Sequence, residues 1–189
     1  MDVSIVVTVL NEEDAVDELY RRVAASLDGR DWEAIFVDDG STDATPAKLR
    51  ALHETDPRVR VVRFKRNFGQ HPAMHAGLAR ARGARIVTMD GDLQNEPEDI
   101  PKLLVALDRV DVASGRRVGR RDSVGRTAPS RLINGMLRRF TGVDISDFGC
   151  AFNGYRRGAI EPMLGAIGRQ KFTKALVLSS GVSVEEVDE

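Results

Sequence analysis

The sequence predicts a single α/β domain, built on a mostly parallel sheet with helices on both faces. Three observations lead there. Apolar, β-branched runs recur roughly every 25 residues, as strands separated by helices do. The runs Ile5-Val6-Val7 and Ile35-Phe36-Val37 are apolar on successive residues rather than alternating, which suits strands covered on both faces. Between the runs lie helical patterns with one apolar face.

Taken in order, strands are expected at Ser4–Leu10, Trp32–Asp38, Val59–Phe64, Arg85–Met89 and Asp111–Ser114. Leu19, Val23 and Leu27 share one face of a helix expected from about Glu12. Ser41 or Asp43 is placed to cap the next helix. Met74, Leu78 and Ala81 mark a further helix, and Asn95 before Pro97 reads as the start of one running to Leu107. Beyond Val124, Leu132, Ile133, Met136, Leu137 and Phe140 form an apolar helical face with arginines beside it. Phe148–Tyr155 reads as a glycine-rich strand or turn, and Gly181–Val187 as a last strand.

Composition narrows the function classes. The chain has 189 residues with 42% hydrophobic and 30% charged residues, a globular balance with room for a core. Its net charge is only −1, so it is not built as a whole to seek nucleic acid. The charge is uneven: Arg116 to Arg139 holds eight arginines and one acid, Asp122. That basic stretch predicts a local anionic partner. Cys150 is the sole cysteine, which excludes an intrachain disulfide and a four-cysteine zinc site. The sequence shows neither a basic signal-peptide start nor a membrane-length apolar run.

In sheets of this kind, ligands bind outside the carboxyl ends of the strands. The residues following those ends are Asn11-Glu12-Glu13, Asp38-Asp39-Gly40-Ser41, Arg66-Asn67-Phe68-Gly69-Gln70-His71, Asp90-Gly91-Asp92-Leu93-Gln94 and Gly115-Arg116-Arg117. Polar and acidic groups therefore collect at one edge. Asp90 and Asp92, joined by glycine, can converge on one hard cation such as magnesium or manganese, with substrate phosphates completing its shell. The same Asp-Gly-Asp pattern also makes turns and helix caps. Asp38-Asp39 places two adjacent acids at the end of a buried strand, where one can accept a nucleotide base N–H. Asn11-Glu12 can reach base or ribose, or serve as first-turn acid of a helix. The arginines at 116, 117, 120, 121, 126 and 131 suit phosphate, to which guanidinium binds bidentately. The dinucleotide fingerprint and the phosphate-loop motif are both missing after the first strand, which argues against a dehydrogenase or nucleoside triphosphatase. His71, His75 and Cys150 show no pattern of a nucleophilic site.

Val9-Leu10-Asn11-Glu12-Glu13, Val37-Asp38-Asp39-Gly40-Ser41-Thr42-Asp43, Arg66-Asn67-Phe68-Gly69-Gln70-His71, Asp90-Gly91-Asp92-Leu93-Gln94-Asn95-Glu96-Pro97-Glu98 and Asp147-Phe148-Gly149-Cys150, in that order, resemble the family 2 glycosyltransferases. Within them the likeness is greatest to the polyprenyl-phosphate branch, and it runs from Ser4 to about Val187. The resemblance implies a Rossmann-like GT-A fold over 1–189 and an inverting transfer from a nucleotide-sugar donor (GDP- or UDP-linked) to a polyprenyl phosphate, dolichyl or undecaprenyl. It assigns Asp90, Asp92 and Gln94 to Mg2+ or Mn2+ and the donor diphosphate. Asn11, Glu12 and Asp39 would hold the nucleoside, with Asp38 close by and Thr8, Leu10, Asn67, Gln70 and Gly91 around the donor. Arg116 and Arg126 match phosphate-gripping positions, and Asp147 falls near the transferred sugar. Thr8 and Leu10 stand where the family usually has proline and an aromatic.

Related proteins continue past the last strand into a basic loop and often transmembrane helices, so a domain truncated before that region is expected. The implied location is the cytoplasmic face of a membrane, reached through the arginine-flanked amphipathic helix. Two rival readings remain: a transferase with a saccharide or protein hydroxyl acceptor, which needs a general base, and a non-catalytic nucleotide- or membrane-binding module.

Overall fold

The computed structural model describes residues 1–116, 150–164, 177, 178 and 180–188. Among them, seven strands form one sheet: β1 (Val3–Val9), β2 (Trp32–Asp38), β3 (Val59–Arg63), β4 (Arg85–Asp90), β5 (Val112–Arg116), β6 (Asn153–Arg156) and β7 (Val184–Asp188), in the order β3-β2-β1-β4-β6-β5-β7. The pairs β1–β2, β1–β4, β2–β3 and β5–β7 are parallel. β6 runs antiparallel between β4 and β5, matching Thr88 with Asn153 and Ser114 with Asn153. The chain therefore leaves the sheet at Arg116 and re-joins it at Asn153 on the same edge.

Every residue of β1 and β2 is buried. The alternating side chains of β1 explain the unbroken apolar run: Val3, Ile5, Val7 and Val9 enter one core, Val6 the other. The first core is covered by α1 (Val16–Ser26), α2 (Thr45–Thr55) and α4 (Ile100–Ala106), through Leu19, Val23, Leu49, Leu103 and Leu104. The second is covered by α3 (Gln70–Leu78), through Ala73, Met74 and Leu78. Each fully buried side chain such as Leu19 or Ile35 contributes about 1.5–3 kcal/mol.

Several boundaries differ from the sequence expectation for local reasons. The first helix starts at Val16 rather than Glu12, after a turn whose Glu12 carbonyl already accepts the Val16 N–H, and the N–H groups of Asn11, Glu12 and Glu13 donate to Ser41, Thr45 and Asp43. Asn95 is buried, and Pro97–Asp99 forms a 3-10 turn before the α-helix begins at Ile100. Ala81 packs in the second core beyond the end of α3. The last strand begins at Val184. The helix expected around Leu132–Phe140 lies outside the described residues.

At the amino ends of the strands a buried polar knot closes the sheet. The Glu33 carboxylate, 1% exposed, accepts bonds from Ser4 Oγ (2.8 Å), Arg60 (2.9 Å) and the Arg82 N–H (2.8 Å). On the α1–α2 side, Asp56 accepts from the Tyr20 hydroxyl and from Arg58, whose guanidinium lies 4.3 Å over the Trp32 ring.

Candidate functional site

The carboxyl ends of β1, β2 and β4 surround a cleft of about 200 Å³ lined by Thr8, Val9, Leu10, Glu12, Asp39, Asn67, Gly69, Gln70, Ala73, Asp90, Gly91 and Asp92. Nine of these are residues that the sequence reading singled out; Val9, Gly69 and Ala73 were not. Val9 and Gly69 stood in the quoted motifs without a role of their own, and Ala73 carries no polar group that would mark it.

The loops around the cleft are tied to one another. Asn11, with φ 57°, donates its N–H to Ser41 Oγ (2.9 Å), and its side-chain oxygen accepts the Thr42 N–H (2.9 Å). Asparagine tolerates this left-handed backbone better than most residues. Glu13 accepts the Ala44 N–H (2.7 Å), and Asp43 accepts the N–H groups of Thr45 (3.0 Å) and Glu13 (3.2 Å). Asn11 thus locks the loop after β1 to the loop after β2 and does not line the cleft. Gly40 has φ 83°, and a Cβ there would stand 2.4 Å from the Arg66 carbonyl carbon. Only glycine lets the loops after β2 and β3 approach so closely.

The two neighbouring acids take different roles. Asp38 is fully buried; its Oδ1 accepts the Ser41 N–H at 2.8 Å. Its Oδ2 makes no hydrogen bond, although Arg63 Nε lies 3.3 Å away. Asp38 sits behind the cleft wall. Asp39 lines the cleft, and its carboxylate accepts the N–H of Phe68 (2.8 Å) and of Gly69 (2.9 Å), fixing the loop that carries Asn67 and Gln70.

The Asp-Gly-Asp turn forms the opposite wall. Asp90 Oδ1 accepts bonds from Gln70 Nε2 (2.5 Å) and Thr8 Oγ1 (3.1 Å). Gly91 donates its N–H to the Thr8 carbonyl at 2.9 Å. A Cβ on Gly91 would meet Val9 Cγ1 at 2.4 Å, so the turn presses directly on β1. Asp92 Oδ1 accepts the Gln94 N–H at 3.0 Å, and Leu93 between them has φ 60°. A branched side chain in that region costs about 1–3 kcal/mol and is tolerated where the surroundings impose it. Burial raises the Glu12 carboxyl above its usual value, and the charges of Asp92, Asp43 and Asp90 raise it further.

Negative charge therefore accumulates at one end of the cleft, on hard oxygen donors suited to a divalent cation. Among the described residues no group of three or more His, Cys, Asp or Glu side chains forms a closed metal cage. An open pair of carboxylates fits a cation that completes its shell with water and ligand phosphates. Gln94 is exposed and outside the cleft lining. Arg116, at the end of β5, also lies outside it, its guanidinium 2.7 Å from Asp188. Arg126 and Asp147 lie outside the described residues, as do Arg117, Arg120, Arg121 and Arg131.

A mostly parallel sheet whose acidic strand-end loops enclose such a cleft defines an α/β domain with an open, acidic site. Residues 4–164 match the model of glycosyl transferase family 2, and the chain belongs to that family. It is 42% identical over 181 residues to a protein of Edwardsiella ictaluri named undecaprenyl-phosphate 4-deoxy-4-formamido-L-arabinose transferase, covering 94% of this chain and 56% of that one. The chain thus spans little more than half the length of that relative. A mannosyltransferase of Pyrobaculum calidifontis, solved with GDP-Man and Mn2+, superposes with TM-score 0.72 at 20% identity over 99% of this chain and 55% of the other. Glucosyl-3-phosphoglycerate synthase of Mycobacterium tuberculosis, solved with Mn2+, UDP and glucosyl-3-phosphoglycerate, gives 0.71 at 22% identity over 99% and 69%. The fold is GT-A.

Proposed function

We propose that this chain is the catalytic domain of an inverting glycosyltransferase that moves a sugar from a nucleoside-diphosphate sugar to undecaprenyl or a related polyprenyl phosphate. The observation that carries the reading is the 42% identity, over 94% of the chain, to a transferase named for undecaprenyl phosphate. By the same likeness the sugar is a 4-deoxy-4-formamido-L-arabinose or a close analogue. The full protein then works at the cytoplasmic face of a membrane, with the arginine-flanked segment toward the lipid.

In this reading Asp90 and Asp92 hold Mg2+ or Mn2+, with Gln94 beside them. A bound cation would supply charge neutralisation for the departing diphosphate. Asp39 and Glu12 line the nucleoside end, while Asn11 and Asp38 hold its walls. An acceptor phosphate oxygen forms a bond to the anomeric carbon while the bond to the diphosphate oxygen breaks, and that oxygen keeps the electron pair. A phosphate monoester, with a second pKa of about 6, is already largely ionised at neutral pH. The chain therefore needs positioning and charge stabilisation more than a strong base. Arg116 and Arg126 serve the phosphates, and Asp147 orients the sugar or acceptor.

The test is transfer of labelled sugar to undecaprenyl phosphate by the chain alone and by the chain joined to the part of a relative such as the Edwardsiella ictaluri protein that it does not span. Label extracted with lipid supports the reading; label only in water-soluble saccharide would replace it with a hydroxyl acceptor. Nucleotide binding without turnover in either form would make the domain a binding module. Thermal unfolding with UDP and with GDP, with and without Mn2+, identifies the donor base. Ligand at about a hundred times its Kd adds roughly 2.7 kcal/mol, which is a shift of several degrees at about 2–4 °C per kcal/mol. Asp92→Ala is expected to lose the Mn2+-dependent part of that shift.

A further inference from the structure

We propose that Gln70 is a positioning residue: its side-chain amide, together with the Thr8 hydroxyl, orients the Asp90 carboxylate for a divalent cation. This deepens the donor-site reading above and rests on it.

Three separate elements meet at Asp90 Oδ1. Thr8 lies near the end of β1 and is the direct register partner of Asp90 across the parallel β1–β4 pair. Its hydroxyl donates at 3.1 Å. Gln70 opens α3 and donates from the opposite side of the cleft at 2.5 Å. Two donors satisfy the two lone-pair directions of a single carboxylate oxygen. Held by two elements, the carboxylate has a set orientation that a hard cation at this turn would meet.

The Gln70 amide is itself held in place from behind. Gly69, the residue before it, has φ 97°, and its N–H is bonded to Asp39 alongside that of Phe68. Asp39 is 4% exposed, so its bonds to the loop are largely shielded from water. A chain of contacts thus runs from Asp39 through the loop to Gln70 and on to Asp90. The sequence placed Gln70 against the donor; the structure uses its NH2 group internally. Such outer donors commonly set metal affinity by about 10–100-fold.

The experiment is an electron paramagnetic resonance titration of Mn2+ into the full chain, with UDP and separately with GDP present. It compares wild type with Gln70→Leu, Asp90→Asn and the double variant. Gln70 is exposed, so the melting temperature of the cation-free Gln70→Leu protein should match wild type. The expected result is Mn2+ binding weakened about tenfold or more in Gln70→Leu. Thr8→Val, which deletes the longer bond, should shift binding the same way by less. Adding Gln70→Leu to Asp90→Asn should then change little, because the pair acts as a unit. Wild-type affinity in Gln70→Leu would overturn the proposal. So would losses that multiply in the double variant, which would make Gln70 act independently of Asp90. Wild type that binds no Mn2+ with either nucleotide would instead sink the donor-site reading, and this proposal with it.

Discussion

Gly91→Ala tests whether the Asp-Gly-Asp turn owes its position to contact with β1. The added Cβ would sit 2.4 Å from Val9 Cγ1, where ordinary contact begins at 3.4 Å, and 3.0 Å from the Thr8 carbonyl oxygen. Relief therefore requires a movement of about 1 Å by the turn or by Val9, within the usual cost of overpacking. Val9 is 2% exposed and packed in the first core, so the turn yields more easily. Overpacking of this kind costs about 1–3 kcal/mol, or roughly 2–12 °C of melting temperature at 2–4 °C per kcal/mol. The functional loss should be larger, since a misplacement of about 1 Å can cost on the order of 100-fold in rate. Circular dichroism melts and sugar transfer at saturating Mn2+ measure the two effects. Val9→Ala in the same chain removes the clashing methyl and should restore part of the turnover. Native melting and native turnover in Gly91→Ala would refute the steric argument, and failure of Val9→Ala to restore any turnover would refute its attribution to Val9.

Asp39→Asn replaces one of two accepting oxygens with an NH2 that faces an N–H donor. It should cost about 1.5–3 kcal/mol, as for bonds to a charged group, and weaken nucleotide binding; a titration and a melt that both match wild type would be contrary. Burial works against the Glu33 charge, but the Ser4, Arg60 and Arg82 bonds outweigh it and hold the carboxyl below its usual value. A depressed folded pKa means this stabilisation is complete above the unfolded value of about 4.3 and is lost as pH falls through the folded one. Glu33→Gln should therefore lower the melting temperature at pH 7, and the gap from wild type should narrow in acid. A gap that widened in acid would reverse the assignment. Tyr20→Phe removes the hydroxyl bonded to Asp56 and should destabilise by about 1.5 kcal/mol, read from urea melts; no change would show that Arg58 alone satisfies that carboxylate.

Much of the fold was legible because the central strands are buried on both faces. Trp32–Asp38 has the bounds its apolar run suggests, and β1 begins one residue earlier than expected. β6 was harder to read: Asn153-Gly154-Tyr155-Arg156 carries little strand propensity. It is a strand because β4 and β5 flank it on both sides. That the acids and amides at the strand ends gather around one cleft was legible, since loops of a parallel sheet converge there. What sequence did not reveal is how that polarity is divided. Asn11 and Asp38 look as ligand-like as Asp39, yet only Asp39 lines the cleft, and which of them does so is set by loop hydrogen bonds that the sequence does not show.

The antiparallel return through β6 has a bearing on how such a domain can diversify. β5 ends at Arg116 and the neighbouring, antiparallel β6 begins at Asn153, so the two strand ends lie at the same end of the sheet. Closure entropy grows only slowly with the length of chain that joins two such ends. The sheet can thus take intervening chain of different length at this one end, while the stretch from Thr8 to Asp92 stays unaltered.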